Sequence, residues 1–382
     1  MSNDVGLKRF LERVLEEVER KNVSFQKAFK RALSSFEGKR LGFDVGRAYK
    51  VARSLLVNYY CLSSLAGSKK SLIEEGLRRV GELERGISPC KGVRGLSYKY
   101  SFPEWFVRRL LEIENEGFVE GLLRALNEEV IWIRVNTLKA DVDKTVRLLE
   151  EEGAELEVDR DLHYVFRVKS GWERIRGSEV FKEMKALRQD KASCLVVEAL
   201  RPEVGDRILD ACSAPGLKTS LIQALTENRA RIIAVDLSKR RLESQKRLMK
   251  VLGVKNVELV LADSRKIHMR ERADKVLIDA PCTSSGSIAR DPAVKVHLRR
   301  RGKVDYYSRV QVELVHALCR LGKEVIYATC SVLPEEGEEV ILAVLKREAA
   351  GVEEVPLRLS PGYREYAFRS KVRRSFPHVD LA

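Results

Sequence analysis

The sequence predicts an α/β fold in which a doubly wound parallel sheet follows a small α+β module and an N-terminal helical domain. From residue 186 onward, short apolar runs alternate with loops and helical segments, a pattern typical of parallel strands joined by crossover helices. The chain of 382 residues also exceeds the size of one ordinary hydrophobic core. Roughly two or three domains are therefore expected.

Three segments precede the predicted sheet, and they differ in the spacing of their apolar residues. Apolar residues recur at the spacing of one helix face from Phe10 to Val18, which predicts a helical domain over residues 1–90. Residues 91–103 carry Gly, Pro, Ser and basic residues with little periodicity, and predict a linker. Residues 104–185 alternate helical and strand-like patterns, and predict the small α+β module.

The charge of the chain indicates a polyanionic partner. Lys and Arg total 71 against 56 Asp and Glu, which gives a net charge of +15. Such a balance favours nucleic acid over a merely solvated surface. Arg134 interrupts an otherwise apolar run, and two explanations stay open: its side chain snorkels at a sheet edge, or it contacts RNA.

The cysteines and the apolar segments limit the class of protein. Seven cysteines are scattered without a CxxC pair, which predicts reduced thiols and no metal site. No apolar run approaches the length of a membrane span, and the N-terminus lacks the apolar core of a signal peptide. We therefore expect a cytoplasmic protein with neither a membrane nor a metal partner.

Five apolar runs lie in the predicted domain over residues 186–382. Each ends in an aspartate or a cysteine: DRILDACSA, ARIIAVDLS, NVELVLADS, DKVLIDAPC and KEVIYATCS. Parallel sheets bind ligands beyond the carboxyl ends of their strands. The polar residues that end these runs are therefore the candidate site.

The first three runs predict a nucleoside pocket. A small-residue loop around Gly216 lets backbone approach a ligand, although it matches neither the dinucleotide nor the Walker pattern. Asp236 lies at the offset where an acidic residue commonly receives ribose hydroxyls, and Asp263 is placed to meet an adenine edge. Helix capping is the alternative for each aspartate alone. Lys218 suits a ligand carboxylate, or is simply solvated.

The last two runs each deliver a thiol, at Cys282 and Cys330. A buried structural role is usual for a cytosolic cysteine, but the neighbours of these two are polar. An ordinary thiol, with a pKa of about 8.5, is mostly protonated at pH 7, so a catalytic one needs donors or a helix amino terminus nearby. Hydroxyl residues follow Cys282, and a helix with Glu335 and Glu336 in its first turn is predicted after Cys330.

Methylation of a pyrimidine at C5 needs chemistry of this kind. The ring carbon is a weak nucleophile until a thiolate adds at C6, which divides one difficult step into easier ones. A carboxyl group hydrogen-bonded to N3 or to the exocyclic amine stabilises the developing charge, and Asp279, shortly before Cys282, is placed for that. A second thiol, or water beside it, is a candidate base for the C5 proton.

The motifs around these residues resemble those of the Nol1/Nop2/Sun family of RNA cytosine-5 methyltransferases. DACSAPGLKT is similar to the family's S-adenosylmethionine loop, DAPCTSSG to its Pro-Cys motif, and ATCSVLPEEGEEV to its Thr-Cys motif, in the expected order. The resemblance covers roughly residues 100–380. It implies a Rossmann-like methyltransferase sheet with S-adenosylmethionine as the cofactor.

Carried over residue by residue, the resemblance implies that Cys330 attacks C6 and that Cys282 assists breakdown of the adduct. It implies Asp236 at the ribose, Asp263 at the adenine, and Asp279 at the catalytic centre beside the cofactor. The methionine part of the cofactor is implied to lie on the loop formed by Cys212, Ser213, Ala214, Pro215, Gly216, Leu217 and Lys218.

Two departures from the family pattern affect these expectations. Leu217 stands where a second glycine is usual, which predicts that the loop lies slightly farther from the cofactor. The chain also stops before the Gly-Phe-Phe strand that normally follows its Pro-His segment. The sheet therefore lacks an edge strand, or the chain is shortened.

The resemblance further implies an RNA partner, either ribosomal or transfer RNA, with the target base flipped or unpaired. Residues 1–90 resemble a NusB-like RNA-binding domain, and residues 104–185 are a predicted RNA-binding module. Lys218 and Arg290 are predicted substrate contacts, and a monomer is expected. Two alternatives stay open: Cys282 is the nucleophile, as in DNA cytosine-5 methyltransferases, or the protein is a non-catalytic RNA-binding assembly factor.

Overall fold

The structure, a computed structural model, describes residues 2–36, 43–79, 92–348 and 350–380. Its first part is helical, as predicted, with α1 (Ser2–Lys21), α2 (Phe25–Ser34), α3 (Val45–Val57), α4 (Tyr59–Leu65) and α5 (Lys69–Arg79). Phe10 and Leu55 lie in their shared apolar core. Ser24 and Asp44 cap α2 and α3 by accepting hydrogen bonds from backbone N–H groups. The end of the predicted helical domain, with Cys90, lies outside the described residues.

The prediction of a linker over residues 91–103 was wrong. Helix α6 (Gly92–Tyr100) occupies most of this segment, and Leu96 packs in the same apolar cluster as Phe102. Ser97 Oγ donates a hydrogen bond of 2.5 Å to the Phe102 carbonyl just past the helix. Leu96 is the one buried apolar side chain of this helix, and the partly buried Val93 and Tyr100 pack against the same cluster. These three lie at the spacing of one helix face, a short pattern that the surrounding Gly, Ser and basic residues obscured.

The α+β module contains a four-stranded antiparallel sheet in the order β2-β3-β1-β4. Its strands are β1 (Trp132–Val135), β2 (Glu155–Val158), β3 (Val165–Ser170) and β4 (Ala186–Arg188). Its helices are α7 (Glu104–Ile113), α8 (Glu116–Ala125), α9 (Val142–Glu151), α10 (Trp172–Ile175) and α11 (Glu179–Lys182). The α+β module extends past its predicted end at residue 185, since strand β4 pairs with β1 and completes the sheet.

The second sheet has five parallel strands in the order β7-β6-β5-β8-β9, which confirms the predicted doubly wound fold. The strands are β5 (Arg207–Asp210), β6 (Arg231–Asp236), β7 (Val257–Leu261), β8 (Ala273–Asp279) and β9 (Gly322–Ala328). The helices are α12 (Lys191–Leu200), α13 (Leu217–Leu225), α14 (Lys239–Leu252), α15 (Ala293–His297), α16 (Gly302–Leu318) and α17 (Glu338–Leu345). Strand order reverses between β5 and β8, so their carboxyl ends open onto a crevice.

The position of Arg134 agrees with neither explanation that the sequence left open, snorkelling at a sheet edge or contact with RNA. It is on β1, an inner strand, and is fully buried, so it meets neither a sheet edge nor RNA. Its Nη2 atom donates a hydrogen bond of 2.8 Å to Ser220 Oγ on α13, and burial lowers the pKa of the guanidinium. The side chain therefore joins the sheet of the α+β module to α13, the helix that follows β5.

The C-terminal segment supports the crevice. Strands β10 (Ser360–Pro361) and β11 (Arg373–Arg374) form a short antiparallel pair. The Tyr363 hydroxyl donates a hydrogen bond of 2.6 Å to the carbonyl of Val332, two residues past Cys330. Among the described residues, no helix is long and apolar enough to cross a membrane.

Candidate active site

The two thiols of the predicted site lie side by side. Cys282 follows β8 and Cys330 follows β9, and these strands are parallel neighbours. The two Sγ atoms are 3.3 Å apart. A backbone hydrogen bond of 2.9 Å from Gly286 N–H to the Cys330 carbonyl ties the loops together. Because Cys330 is exposed and Cys282 is half-buried, the pair meets solvent mainly through Cys330.

Hydrogen bonding separates the pKa values of the two thiols. The S–H group of Cys282, helped by the hydroxyls of Ser284 and Ser287, lowers the pKa of Cys330 to about 6. These donors outweigh burial and the negative charge of Asp279, which act in the opposite direction. The same contact raises the pKa of Cys282. The opposite shifts make Cys330 the more acidic thiol of the pair, with Cys282 as its hydrogen-bond donor.

An ion pair lies beside the thiols. Lys218 Nζ is 2.6 Å from Asp279 Oδ2, at the end of β8. Burial lowers the pKa of Lys218, but the carboxylate of Asp279 outweighs it, and the net shift is upward. The side chain of Asp279 remains 34% exposed, so it can still accept a hydrogen bond from a base. The structure thus brings four predicted site residues together: Lys218, Asp279, Cys282 and Cys330.

A buried carboxylate to which the sequence analysis assigned no role in the site, Glu336, joins the two thiol loops. It accepts hydrogen bonds from Thr283 N at 2.8 Å and from Thr283 Oγ1 at 2.5 Å in the first loop. In the second loop, Ser331 Oγ donates to it at 2.6 Å. Burial raises the pKa of Glu336, although these donors oppose the shift. One side chain therefore holds both loops in register.

Glu335 and Glu336 lie in the first turn of a helix, as expected, but this is a short 3-10 helix, Pro334–Glu336, and Gly337 separates it from α17. Glu335 also pairs with Arg109 Nε at 2.9 Å and with Arg301 Nη2 at 3.0 Å. The glycine inside PEEGEE was the available signal for the separation, because glycine is unfavourable within a helix.

The small-residue loop crosses the carboxyl end of β5 and leads into α13. Ser213 Oγ donates a hydrogen bond of 3.0 Å to Gln245 Oε1, which attaches the loop to α14. Gly216 has a φ of +102°, and a Cβ atom there would lie 2.7 Å from Met249 Cε, so the position requires glycine. Leu217, in the place of a second glycine, packs in the same apolar cluster as Met249.

The surroundings of this loop are negative. Burial raises the pKa of Cys212 to about 12, and the charges of Asp210, Asp279 and Asp236 add to the shift. Asp210, which the sequence did not assign to the site, is fully buried and accepts a hydrogen bond of 2.7 Å from Thr219 Oγ1. Its own pKa is raised by burial to about 7. Despite these carboxylates, the described residues contain no group of three or more side chains that would hold a metal ion.

Asp236 and Asp263 lie at the predicted strand ends, but both carboxylates already have protein partners. Asp236 Oδ2 accepts from Ala214 N at 3.3 Å and pairs with Arg241 Nη1 at 3.1 Å. Asp263 is held by Arg265, with Nη2 at 2.7 Å, and this hydrogen bond lowers the pKa of Asp263. Both arginines are exposed, so a ligand at either aspartate would share or displace an arginine.

Arg290, a predicted substrate contact, pairs with Asp190 Oδ2 at 2.6 Å and is half exposed. The next residue, Asp291, accepts a hydrogen bond of 2.9 Å from Phe25 N at the start of α2. Helix α15, which follows, contributes Ala293 to the apolar core of the N-terminal helices. The loop after the first thiol is therefore held by the N-terminal part of the chain.

Comparisons with known proteins match this architecture. Residues 197–381 match the family profile described as 16S rRNA methyltransferase RsmB/F, and residues 102–172 match the RsmF/B-like ferredoxin-like domain. Ribosomal RNA small subunit methyltransferase B of Klebsiella pneumoniae is 34% identical over 65% of this chain and 58% of that protein. The probable enzyme of the same name from Bacillus subtilis is 28% identical over 74% and 63%. The chain thus spans less than two thirds of either relative.

Solved structures with the same fold cover more of the chain. The crystal structure of PH0851 has a TM-score of 0.78 and 25% identity, and covers 98% of this chain and 96% of that one. A methyltransferase homologue from Pyrococcus horikoshii has a TM-score of 0.66 and 27% identity, with 77% and 96% covered. Taken together, the two profile matches, the arrangement of sheets and the paired thiols place this chain in the RsmB/F, or Nol1/Nop2/Sun, family of RNA methyltransferases.

Proposed function

We propose that this chain transfers a methyl group from S-adenosylmethionine to carbon 5 of a cytosine in ribosomal RNA, through a covalent adduct between Cys330 and C6. The observation that carries the proposal is the thiol pair, in which Cys330 is an exposed thiolate beside a protonated Cys282. The thiolate is the form that adds to a ring carbon. The names of the relatives favour small-subunit ribosomal RNA over transfer RNA as the substrate.

The residues around the small-residue loop fit the cofactor. S-adenosylmethionine, when bound, supplies a methyl group on a positively charged sulfonium. The negative surroundings formed by Asp210, Asp236 and Asp279 suit that charge. Residues 212–218 would hold the methionine part, with Asp236 at the ribose and Asp263 at the adenine. The crystal structure of NSun6 from Pyrococcus horikoshii, which has a similar fold, was solved with SFG, an analogue of this cofactor.

Three side chains act on the cytosine. The Cys330 thiolate bonds to C6 while the exposed oxygen of Asp279 accepts a hydrogen bond from the exocyclic amine. Lys218 holds Asp279 in place through their ion pair. Once the Cys330 sulfur is bonded to carbon, its negative charge is gone, and with it the largest of the influences that raise the pKa of Cys282; burial and the charge of Glu336 remain.

The pKa of Cys282 then falls at the stage where a base is needed. Cys282 loses its proton to solvent and removes the C5 proton of the methylated adduct. The electrons of the C5–H bond re-form the C5–C6 double bond, and the sulfur of Cys330 leaves as thiolate. Two adjacent thiols with opposite pKa shifts therefore divide attack and release between them.

Trapping with RNA that contains 5-fluorocytosine tests this assignment. The fluorine cannot be removed as a proton, so the adduct accumulates on the attacking cysteine. We expect a covalent protein–RNA band with the unaltered chain and with Cys282→Ala, and none with Cys330→Ala. Loss of the band in Cys282→Ala with retention in Cys330→Ala would assign the attack to Cys282.

Bisulfite sequencing of ribosomal and transfer RNA, with and without the gene, identifies the substrate. We expect one cytosine mark in small-subunit ribosomal RNA to depend on the gene. If the purified chain binds S-adenosylmethionine and RNA but no cytosine mark depends on it, the protein is a non-catalytic assembly factor.

A further inference from the structure

A pocket on the α+β module lies outside the site described above. It has a volume of about 520 Å³ and is formed by the segment that leads into β1, the end of β3 and the start of α10. This volume is within the range of small-ligand pockets, about 300–1,000 Å³. Trp172 contributes an aromatic side chain to its lining, and Arg167, Lys169 and Arg174 contribute cations.

Positive charge in this pocket is poorly neutralised. Arg167 and Lys169 share one carboxylate, that of Glu157, at 3.9 Å and 3.6 Å. Arg174 has no ion pair among the residues that the structure describes. The acidic Glu173 at the same place has its own arginine partner at 2.9 Å. The pocket therefore offers cations and an aromatic ring, the combination that holds single-stranded nucleic acid.

A series of contacts links the pocket to the active-site loop. Glu129, in the pocket lining, is 3.1 Å from Arg53 Nη2, and Arg53 also donates a hydrogen bond to the carbonyl of Ala289 after the first thiol. Arg188 pairs with Glu129 at 2.6 Å and lies over the Trp172 ring, 5.8 Å from its centroid. A polymer that leaves the thiols over this loop would thus follow basic side chains into the pocket.

We propose that this pocket binds a nucleotide of the single-stranded RNA that flanks the target cytosine, with the base against Trp172 and the phosphate against Lys169 and Arg174. The inference rests on the proposed function, because it takes RNA as the substrate. Aromatic rings stack with every base, and cations follow the backbone whatever the sequence. The pocket therefore sets the path of the strand and leaves the choice of the reacting base to the thiol site.

Tryptophan fluorescence tests the contact with the base. The chain has three tryptophans, of which Trp132 is buried and Trp105 donates its indole N–H to the Leu298 carbonyl. We expect single-stranded oligocytidylate to quench part of the emission, Trp172→Phe to abolish that quenching, and Trp105→Phe to retain it. Quenching that persists in Trp172→Phe, or no quenching at oligocytidylate concentrations that saturate the protein, would overturn the proposal.

Salt-dependent binding tests the contact with the phosphate. The double variant Lys169→Gln with Arg174→Gln should bind labelled oligocytidylate roughly tenfold more weakly, and the slope of log K against log salt should fall by about 1 to 2. The matched control, Lys246→Gln with Lys255→Gln, removes the same charge from exposed lysines at a pocket on α14 and β7. Equal losses of affinity for oligocytidylate in the two double variants would show that surface charge attracts the RNA without a specific site, and would overturn the proposal.

Methyl transfer separates this inference from the proposed function. The Lys169→Gln, Arg174→Gln variant should have a raised KM for RNA and an unchanged kcat, because the thiol site is intact. If this variant transfers methyl groups with an unchanged KM for RNA, the pocket proposal is overturned and the proposed function stands. Quenching through Trp172 without methyl transfer to any RNA would overturn the proposed function and leave the pocket standing.

Discussion

Lys218 Nζ lies 2.6 Å from Asp279 Oδ2, so the residue expected to hold a ligand carboxylate is already paired with a carboxylate of the protein. The pair connects the first turn of α13, which continues the small-residue loop, to the end of β8, which carries the first thiol. Cys330 is among the negative groups that raise the pKa of Lys218. The cofactor side and the thiol side of the site are therefore electrostatically coupled.

Removal of the Lys218 charge should raise the pKa of Cys330. Asp279 would then lie unneutralised beside the thiol, and a like charge disfavours the thiolate. For Lys218→Met we expect the alkylation of Cys330 by iodoacetamide near neutral pH to slow severalfold, with its midpoint above about 6. Mass spectrometry of the Cys330 peptide over a pH series measures this. Lys218→Arg keeps the charge and should keep the midpoint; an unchanged midpoint in Lys218→Met contradicts the coupling.

Loss of the Cys282 thiol should raise the pKa of Cys330 more strongly. The S–H donor is the largest of the influences that lower this pKa to about 6. Without it the thiol should approach its ordinary value of about 8.5, which reduces the thiolate fraction at pH 7 by roughly thirtyfold. Alkylation of Cys330 in Cys282→Ala at pH 7 should slow by less than this factor, because a thiolate of higher pKa is intrinsically more reactive, and its midpoint should rise towards about 8.5. Cys282→Ser retains a donor and should fall between the two; a faster reaction in Cys282→Ala would contradict this account.

Replacement of the buried carboxylate Glu336 should loosen both thiol loops. In Glu336→Gln an amide N–H₂ group would face the donors of Thr283 and Ser331, and leaving such groups unpaired costs about 1–3 kcal/mol. We expect a lower free energy of unfolding in urea and less adduct with 5-fluorocytosine RNA. Glu243→Gln, at an exposed position of α14, is the matched control and should change neither. Equal adduct yields in the two variants would show that Glu336 does not position the thiols.

Asp210 should make stability depend on pH. Burial raises its folded-state pKa to about 7, against 3.8 for an unperturbed aspartate. The folded state therefore binds a proton that the unfolded chain gives up, and stability falls as pH rises between these values. Asp210→Asn keeps an acceptor for Thr219 and should gain stability relative to the natural chain by ~1 kcal/mol per pH unit over that range. Urea unfolding at several pH values measures the difference.

The control for this prediction is Asp274, whose folded-state pKa is lowered rather than raised. A hydrogen bond from Lys323 lowers the pKa of Asp274 to about 2. Its contribution to stability is present at neutral pH and is lost as pH falls from about 4 towards about 2. Asp274→Asn should therefore be less stable than the natural chain at neutral pH and should approach it in acid. A pH-independent difference in Asp210→Asn would show that Asp210 is already ionised.

The fold class and the positions of the strand ends could be predicted from local patterns in the sequence. Each buried parallel strand needs its own apolar run, and each run here ends in a polar residue. Because parallel strands place their carboxyl ends at one edge, the neighbourhood of Cys282 and Cys330 was predictable without coordinates. Helix α6 was missed because its apolar face is short, with Val93, Leu96 and Tyr100 separated by Gly, Ser and basic residues.

Only the tertiary structure decided which thiol is the anion and what holds the two thiol loops. The pKa of Cys330 depends on donors from another strand end, and the role of Glu336 depends on Thr283, which is 53 positions away in the chain. The hydrogen bond from the buried Arg134 to Ser220 likewise joins strand β1 to helix α13, 86 positions away in the chain. The periodicity of apolar residues indicates which face of a helix or strand is buried. It does not indicate which distant residues approach that face, and desolvation and hydrogen bonding depend on those residues.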